Sequence, residues 1–128
     1  MSSTLRTVIS QIKQISRDAT VGYGRHGLVR QDTEVATIAI GYADGFSRTL
    51  GHGKGQVWLN GHLAPIIGDI CMDMSMIDVT NIPASEGDEV IIFGQELPIA
   101  QVATAMGTIP HEVLTNVSER VKRIYYTS

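Results

Sequence analysis

Apolar residues in this chain fall mostly in short β-branched runs closed by glycine, asparagine or proline. The first run is the ambiguous one. Residues 4–15 carry Leu5, Val8, Ile9, Ile12 and Ile15 at a spacing that suits one helical face. Strict alternation is poor, because Val8 and Ile9 are adjacent. Yet Thr7, Val8, Ile9, Ile12 and Ile15 are all β-branched, and such residues favour a strand. The segment is read as extended. Residues 35–40 are short, apolar and β-branched, which predicts a strand buried on both faces.

Residues 41–55 contain five glycines and almost no periodicity, which predicts a long loop. The runs 56–60 and 62–67 flank Asn60-Gly61. Asn-Gly between two strand-like runs predicts a hairpin, because both residues tolerate the positive φ of a type I′ turn. Residues 74–79 and 89–93 read as further strands, the second following the turn Glu86-Gly87-Asp88. Past Pro98 the period changes. Ile99, Val102, Ala103 and Met106 share one helical face, and Gly107 is a plausible stop. Thr108 to Pro110 starts a second short helix over 111–117, with Pro tolerated in the first turn. A strand over 121–126 closes the chain. Many short strands with glycine turns predict a mainly β fold, a small Greek-key-like β-barrel with two short C-terminal helices.

The length of 128 residues suits a single domain spanning 1–128 with a real core. Net charge is -3 and the basic residues are scattered, with only Arg120, Lys122 and Arg123 close together. That argues against a nucleic-acid or anionic-membrane partner, which would need a basic patch. No run approaches the ~20 apolar residues of a membrane span, and residues 1–4 lack the apolar core of a signal peptide. The lone Cys71 can form no intrachain disulfide, which points to a reducing compartment, the cytoplasm.

Candidate chemistry gathers in three segments. Tyr23 lies between two glycines, in Val21-Gly22-Tyr23-Gly24-Arg25. It is either a turn tyrosine packed on the core or a group held where a ligand approaches closely, which flanking glycines permit. A tyrosine base must come down from a pKa near ~10, and reaching about 7 takes roughly 4 kcal/mol of phenolate stabilisation. Arg25 would share a face with Tyr23 if the backbone there is a regular strand.

Tyr42 and Asp44 stand where the buried strand enters the glycine loop. Such a junction puts functional groups on a rigid support, although an Asp44 side chain closing a turn on the backbone explains it equally well. Cys71, Met72 and Asp73 follow Gly68-Asp69-Ile70. Free cysteine is usually a small buried hydrophobe, and methionine a core filler. Asp69 and Asp73 read as solvated turn carboxylates. His26, His52, His62 and His111 lack zinc spacing, so no metal is expected. Gly51-His52-Gly53-Lys54-Gly55 lacks the spacing and following helix of a phosphate loop, and reads as a mobile loop.

The order of these segments is more specific than any one of them. Gly-Tyr-Gly-Arg is followed by a strand into Gly-Tyr-Ala-Asp-Gly, an Asn-Gly hairpin, Gly-Asp-Ile-Cys-Met-Asp, and Gly-Asp-Glu-Val-Ile-Ile-Phe-Gly. The series resembles the C-terminal domain of the alanine racemases, pyridoxal-phosphate (PLP) enzymes, over nearly the whole chain. The resemblance implies a parent with an N-terminal α/β barrel holding PLP on a lysine. It implies a head-to-tail homodimer, in which each site joins one subunit's barrel to the other's C-terminal domain, and L- and D-alanine as substrates for peptidoglycan synthesis. It implies Tyr23 as one of two opposed catalytic bases, Tyr42 and Asp73 at the active-site mouth, and a backbone contact of Met72 with the substrate carboxylate.

One departure is visible. The family often has a tyrosine that reaches the cofactor phosphate in a Ser-Tyr-Arg-Val context, and this chain has Ser118-Glu119-Arg120-Val121. Glu119 would repel a phosphate, so no cofactor-binding residue is carried over. The lysines Lys13, Lys54 and Lys122 sit in no segment like that of the cofactor lysine. The isolated chain is therefore expected to be inactive and not to bind PLP covalently. The rival reading is a non-catalytic β-barrel module for dimerisation or other interaction.

Overall fold

A long bent strand organises the molecule. The computed structural model describes residues 4–15, 20–21, 27–28, 33–120 and 125–127. β1 (Thr4–Ile15) buries Leu5, Thr7 and Ile9 in strict alternation. Its register against β4 (Thr33–Ile38) then slips. Ile9 pairs with Ile38 and Gln11 with Thr37, so Ser10 is an extra residue. Such a bulge bends a strand. The spacing of Ile9 and Ile12 on one face is thus a strand pattern interrupted by one inserted residue, while Ile15, past a regular stretch, packs on the other face with Val35, and the extended reading holds.

β1 serves several neighbours. Leu5 to Val8 pair with β8 (Glu89–Phe93), Thr4 to Arg6 with β9 (Tyr125–Thr127), and Ile9 to Ile15 with β4. A two-residue ribbon joins β2 (Thr20–Val21) to β3 (Gly27–Leu28). β5 (Gln56–Leu59) and β6 (His62–Pro65) form the expected hairpin, with Asn60 at φ 48° and Gly61 at φ 85°. β7 (Ser75–Asp78) pairs with β4. The resulting order is β6-β5-β8-β1-β4-β7, and a bridge between Ile66 and Ile77 joins the two outer strands. This is a nearly closed six-stranded barrel, as the pattern of short runs implied. Full pairing stops at Pro65, which has no N–H to donate.

One apolar cluster fills the barrel, including Leu5, Ile9, Ile38, Ile40, Leu59, Ile77 and Phe93. Truncating any of its large aliphatic members to Ala should cost about 2–5 kcal/mol. α1 (Ile99–Met106) buries Val102 and Ala103 against it. Gly107, at φ 76°, ends the helix by donating to the Ala103 and Thr104 carbonyls. α2 runs Pro110–Arg120, longer than the expected 111–117, and includes Glu119. The closing strand is observed at Tyr125–Thr127, while 121–124 lie outside the described residues. α1 packs on the short 3-10 turn Arg48–Leu50 and α2 on the turn Tyr42–Asp44. The two helices therefore support the glycine-rich loop rather than the barrel wall alone.

Candidate functional site

The site begins where β4 stops. The strand ends at Ile38, two residues earlier than its composition implied. Past it, the Ala39 and Ile40 carbonyls are bonded by side chains, Thr7 Oγ1 at 2.9 Å and Ser75 Oγ at 2.7 Å. The chain then turns sharply at Gly41. Asp44 N–H donates to the Gly41 carbonyl at 3.0 Å, and Gly45, at φ 93°, donates to the Tyr42 carbonyl at 3.1 Å. The Asp44 carboxylate is buried and accepts the Gly41 N–H at 3.0 Å. Asp44 is thus the turn-closing residue that one of the two sequence readings described.

This turn is seated on the Cys-Met-Asp segment. Tyr42 N–H donates to the Cys71 carbonyl and Ala43 N–H to the Met72 carbonyl, each at 2.9 Å. The approach requires glycine at 41. A Cβ there would collide with the Cys71 carbonyl oxygen and lie 2.5 Å from the Met72 carbonyl carbon. Cys71 N–H donates to the Met74 carbonyl at 3.0 Å, which folds 71–74 into a tight projecting loop. Met72 is 56% exposed, Tyr42 41% and Met74 43%, and Asp73 is exposed beside them. Two segments thirty residues apart in sequence thus form one surface with an apolar rim.

Arg48 joins that surface, with its guanidinium carbon 5.5 Å from the centroid of the Tyr42 ring. A cation over an aromatic face contributes about 0.5–1 kcal/mol at an exposed site. Sequence reasoning missed Arg48. The available signal was Ser47, whose Oγ accepts the Thr49 N–H at 3.2 Å and starts the second short turn.

Two readings of the glycine-rich stretch need correction. The 51–55 loop is tied down rather than loose: His52 N–H reaches the Gly68 carbonyl at 2.9 Å, and Gly53 N–H reaches the Ile66 carbonyl at 2.7 Å. Asp69 is not simply a solvated carboxylate, since its Oδ1 lies 2.6 Å from His52 Nε2. His52 itself sits at φ 57°.

Cys71 is a poor nucleophile here. Burial pushes its thiol pKa up, and the Asp69 and Asp73 carboxylates push it further by disfavouring the thiolate. Tyr23, Arg25 and His26 lie outside the described residues. Among the described residues, no three His, Cys, Asp or Glu side chains gather as a metal site, and no helix is long and apolar enough to cross a membrane.

The family model described as "Alanine racemase, C-terminal domain" matches residues 2–125. The chain belongs to that family. It is 41% identical over 126 residues to an alanine racemase of Helicobacter pylori, covering 95% of this chain and 33% of that protein. It is 43% identical over 123 residues to an alanine racemase of Desulfovibrio desulfuricans, covering 94% and 33%. The crystal structure of alanine racemase from Bartonella henselae, with covalently bound pyridoxal phosphate, superposes with a TM-score of 0.88 at 40% identity, over 95% of this chain and 34% of that one. The chain therefore spans about one third of the length of the racemases it matches.

A lysine that carries PLP covalently sits desolvated, where its amine can lose its proton. Lys13 stands exposed on β1 and Lys54 exposed in the 51–55 loop, so neither fits. Lys122 lies outside the described residues.

Proposed function

We propose that this chain is the C-terminal domain, residues 1–128, of a cytoplasmic alanine racemase that interconverts L- and D-alanine for peptidoglycan synthesis. In this reading the parent works as a homodimer, and the surface bearing Tyr42, Met72 and Asp73 faces the N-terminal barrel of the partner subunit. Pyridoxal phosphate, bound by that barrel, would supply the electron sink that lets the α-proton of alanine leave. This chain's own residues do the rest of the work assigned to it. Tyr23 takes or returns the proton on one face of Cα, opposite a lysine of the barrel. Met72 offers its backbone to the substrate carboxylate, and Tyr42 and Asp73 narrow the mouth.

The observation that supports this reading best is the seating of the Gly41–Gly45 turn on the Cys71 and Met72 carbonyls. It turns two separate motifs into one exposed surface with an aromatic ring, a methionine and a carboxylate. A surface of that kind on an otherwise well-filled barrel is suited to being covered by a partner.

Tyr23→Phe in the parent protein tests the reading. Loss of a general base should lower kcat/KM about 10²-fold or more, equally in the two directions, because Tyr23 removes the proton in one direction and returns it in the other. Undiminished turnover in both directions would favour the non-catalytic module. The purified chain with added PLP should not racemise L-alanine.

A further inference from the structure

Among the described residues, buried polar side chains are few and unevenly placed. They are four: Thr7, Thr33, Asp44 and Ser75, at 1%, 6%, 5% and 0% exposure. Three of these four converge on the backbone of three consecutive residues. Thr7 Oγ1 donates to the Ala39 carbonyl at 2.9 Å, Ser75 Oγ donates to the Ile40 carbonyl at 2.7 Å, and the Asp44 carboxylate accepts the Gly41 N–H at 3.0 Å. The next residue is Tyr42.

We infer that Thr7, Ser75 and Asp44 are positioning residues that act as one unit to hold the Tyr42 turn in register with the Cys71–Met72 carbonyls. β4 leaves its regular register at Ile38, and although the Ala39 N–H still donates to the Val8 carbonyl at 3.2 Å, the half-buried Ala39 carbonyl and the carbonyl of buried Ile40 are met by side chains. A buried carbonyl left unpaired is costly. The chain could have met this need by continuing the ladder. Instead it uses one hydroxyl from β1, one from the first residue of β7, and the carboxylate of the turn itself.

These three groups come from three different segments, so they fix the direction of the backbone relative to all of them. A satisfied buried network specifies a single arrangement more strongly than apolar packing does. Ser75 adds a second constraint. It lies three residues after Met72, so the hydroxyl that holds Ile40 belongs to the strand that carries the Cys-Met-Asp loop. The Tyr42 turn and that loop are therefore joined twice, by Ser75 on Ile40 and by the Tyr42 and Ala43 amides on Cys71 and Met72.

This inference rests on the reading of Tyr42 as part of the active-site mouth. The test compares Ser75→Ala and Thr7→Val in the parent racemase with Leu59→Ala, a core truncation at the Asn60–Gly61 end of the barrel. Thr7→Val keeps the side-chain shape and should fold even if Ser75→Ala does not. Thr7→Ser, which restores the hydroxyl, is the rescue variant.

We expect Ser75→Ala and Thr7→Val to raise KM for alanine about five- to tenfold, the factor one hydrogen bond commonly carries, with kcat within about twofold. The Tyr42 and Ala43 amides should exchange hydrogen faster in both. Thr7→Ser should return KM and exchange to the unmutated values. Leu59→Ala should lower Tm and move neither KM nor exchange at these amides. If KM merely follows Tm across the set, or exchange at Tyr42 and Ala43 is unchanged, the three residues are structural only and the inference is overturned. Tyr42→Ala separates the two failures. A changed KM in Tyr42→Ala, with none in Ser75→Ala or Thr7→Val, leaves the mouth reading standing and removes this inference. An unchanged KM in Tyr42→Ala removes both.

Discussion

The two ends of this barrel are built on different principles. At the Asn60–Gly61 end, exposed polar side chains do the fastening. Asn60 Nδ2 donates to the Pro83 carbonyl at 2.6 Å and to Asp88 Oδ2 at 3.0 Å, while Ser85 N–H donates to the same carboxylate oxygen at 2.9 Å. A Cβ added to Gly61 would meet nothing within 4 Å. At the Tyr42 end, buried polar groups and a close backbone approach do the fastening, and the exposed positions carry a tyrosine, two methionines and an arginine. The first end resembles an ordinary turn region, where each contact is modest and replaceable. The second spends its buried polar groups on the backbone and leaves apolar side chains outside. That allocation suits the proposed covering of this surface by the partner subunit's barrel.

The comparison is broken most severely at Gly41. Gly41→Ala places a methyl group against the Cys71 and Met72 carbonyls, so the two segments must separate. Overpacking of this kind costs about 1–3 kcal/mol or more, and urea unfolding should show destabilisation at the top of that range. If Gly41→Ala is neutral, the close seating of the two segments is wrong. Gly61→Ala is the matched change at the other end. Space is free there, so only the left-handed backbone opposes it, at about 1–2 kcal/mol. A cost equal to that of Gly41→Ala would remove the contrast.

Asp88→Ala removes two hydrogen bonds from an exposed network and should cost about 1 kcal/mol in unfolding free energy. Racemisation by the parent should be unaffected, and a changed KM would mean that the two ends are coupled. The smallest expected effect concerns Cys71. Its raised pKa leaves less thiolate at neutral pH than a free cysteine has. Iodoacetamide should label it more slowly than a model thiol, with the rate rising only as pH passes above the ordinary cysteine range. Rapid labelling at neutral pH would contradict the influence of burial and the flanking carboxylates.

Much of the fold was legible because it depends on local chemistry. The Asn60-Gly61 hairpin, the strand Glu89–Phe93 and the helix ending at Gly107 all follow from side-chain period and from residues suited to positive φ. The bulge at Ser10 was not legible, because an inserted residue in a strand imitates helical spacing over a short window. The extension of α2 to Arg120 was missed for a related reason, since its polar last turn carries no apolar periodicity. In the candidate site, sequence singled out Tyr42, Met72 and Asp73 by motif, but not the cation over the ring or the partner of Asp69.

The secondary-structure vocabulary, the family to which the chain belongs and the short list of residues with chemical potential could all be read from the order of the residues alone. These are properties of neighbouring residues, and neighbours are what a sequence records. Only the tertiary structure decided that Gly41 must be glycine because another segment's carbonyls occupy the space, that Thr7 and Ser75 serve the strand end before Tyr42, and that Arg48 stands over its ring. Each of these depends on atoms brought together across about six to thirty-five positions of chain. No local propensity encodes such a meeting; it follows from barrel closure and from the requirement that buried carbonyls find donors.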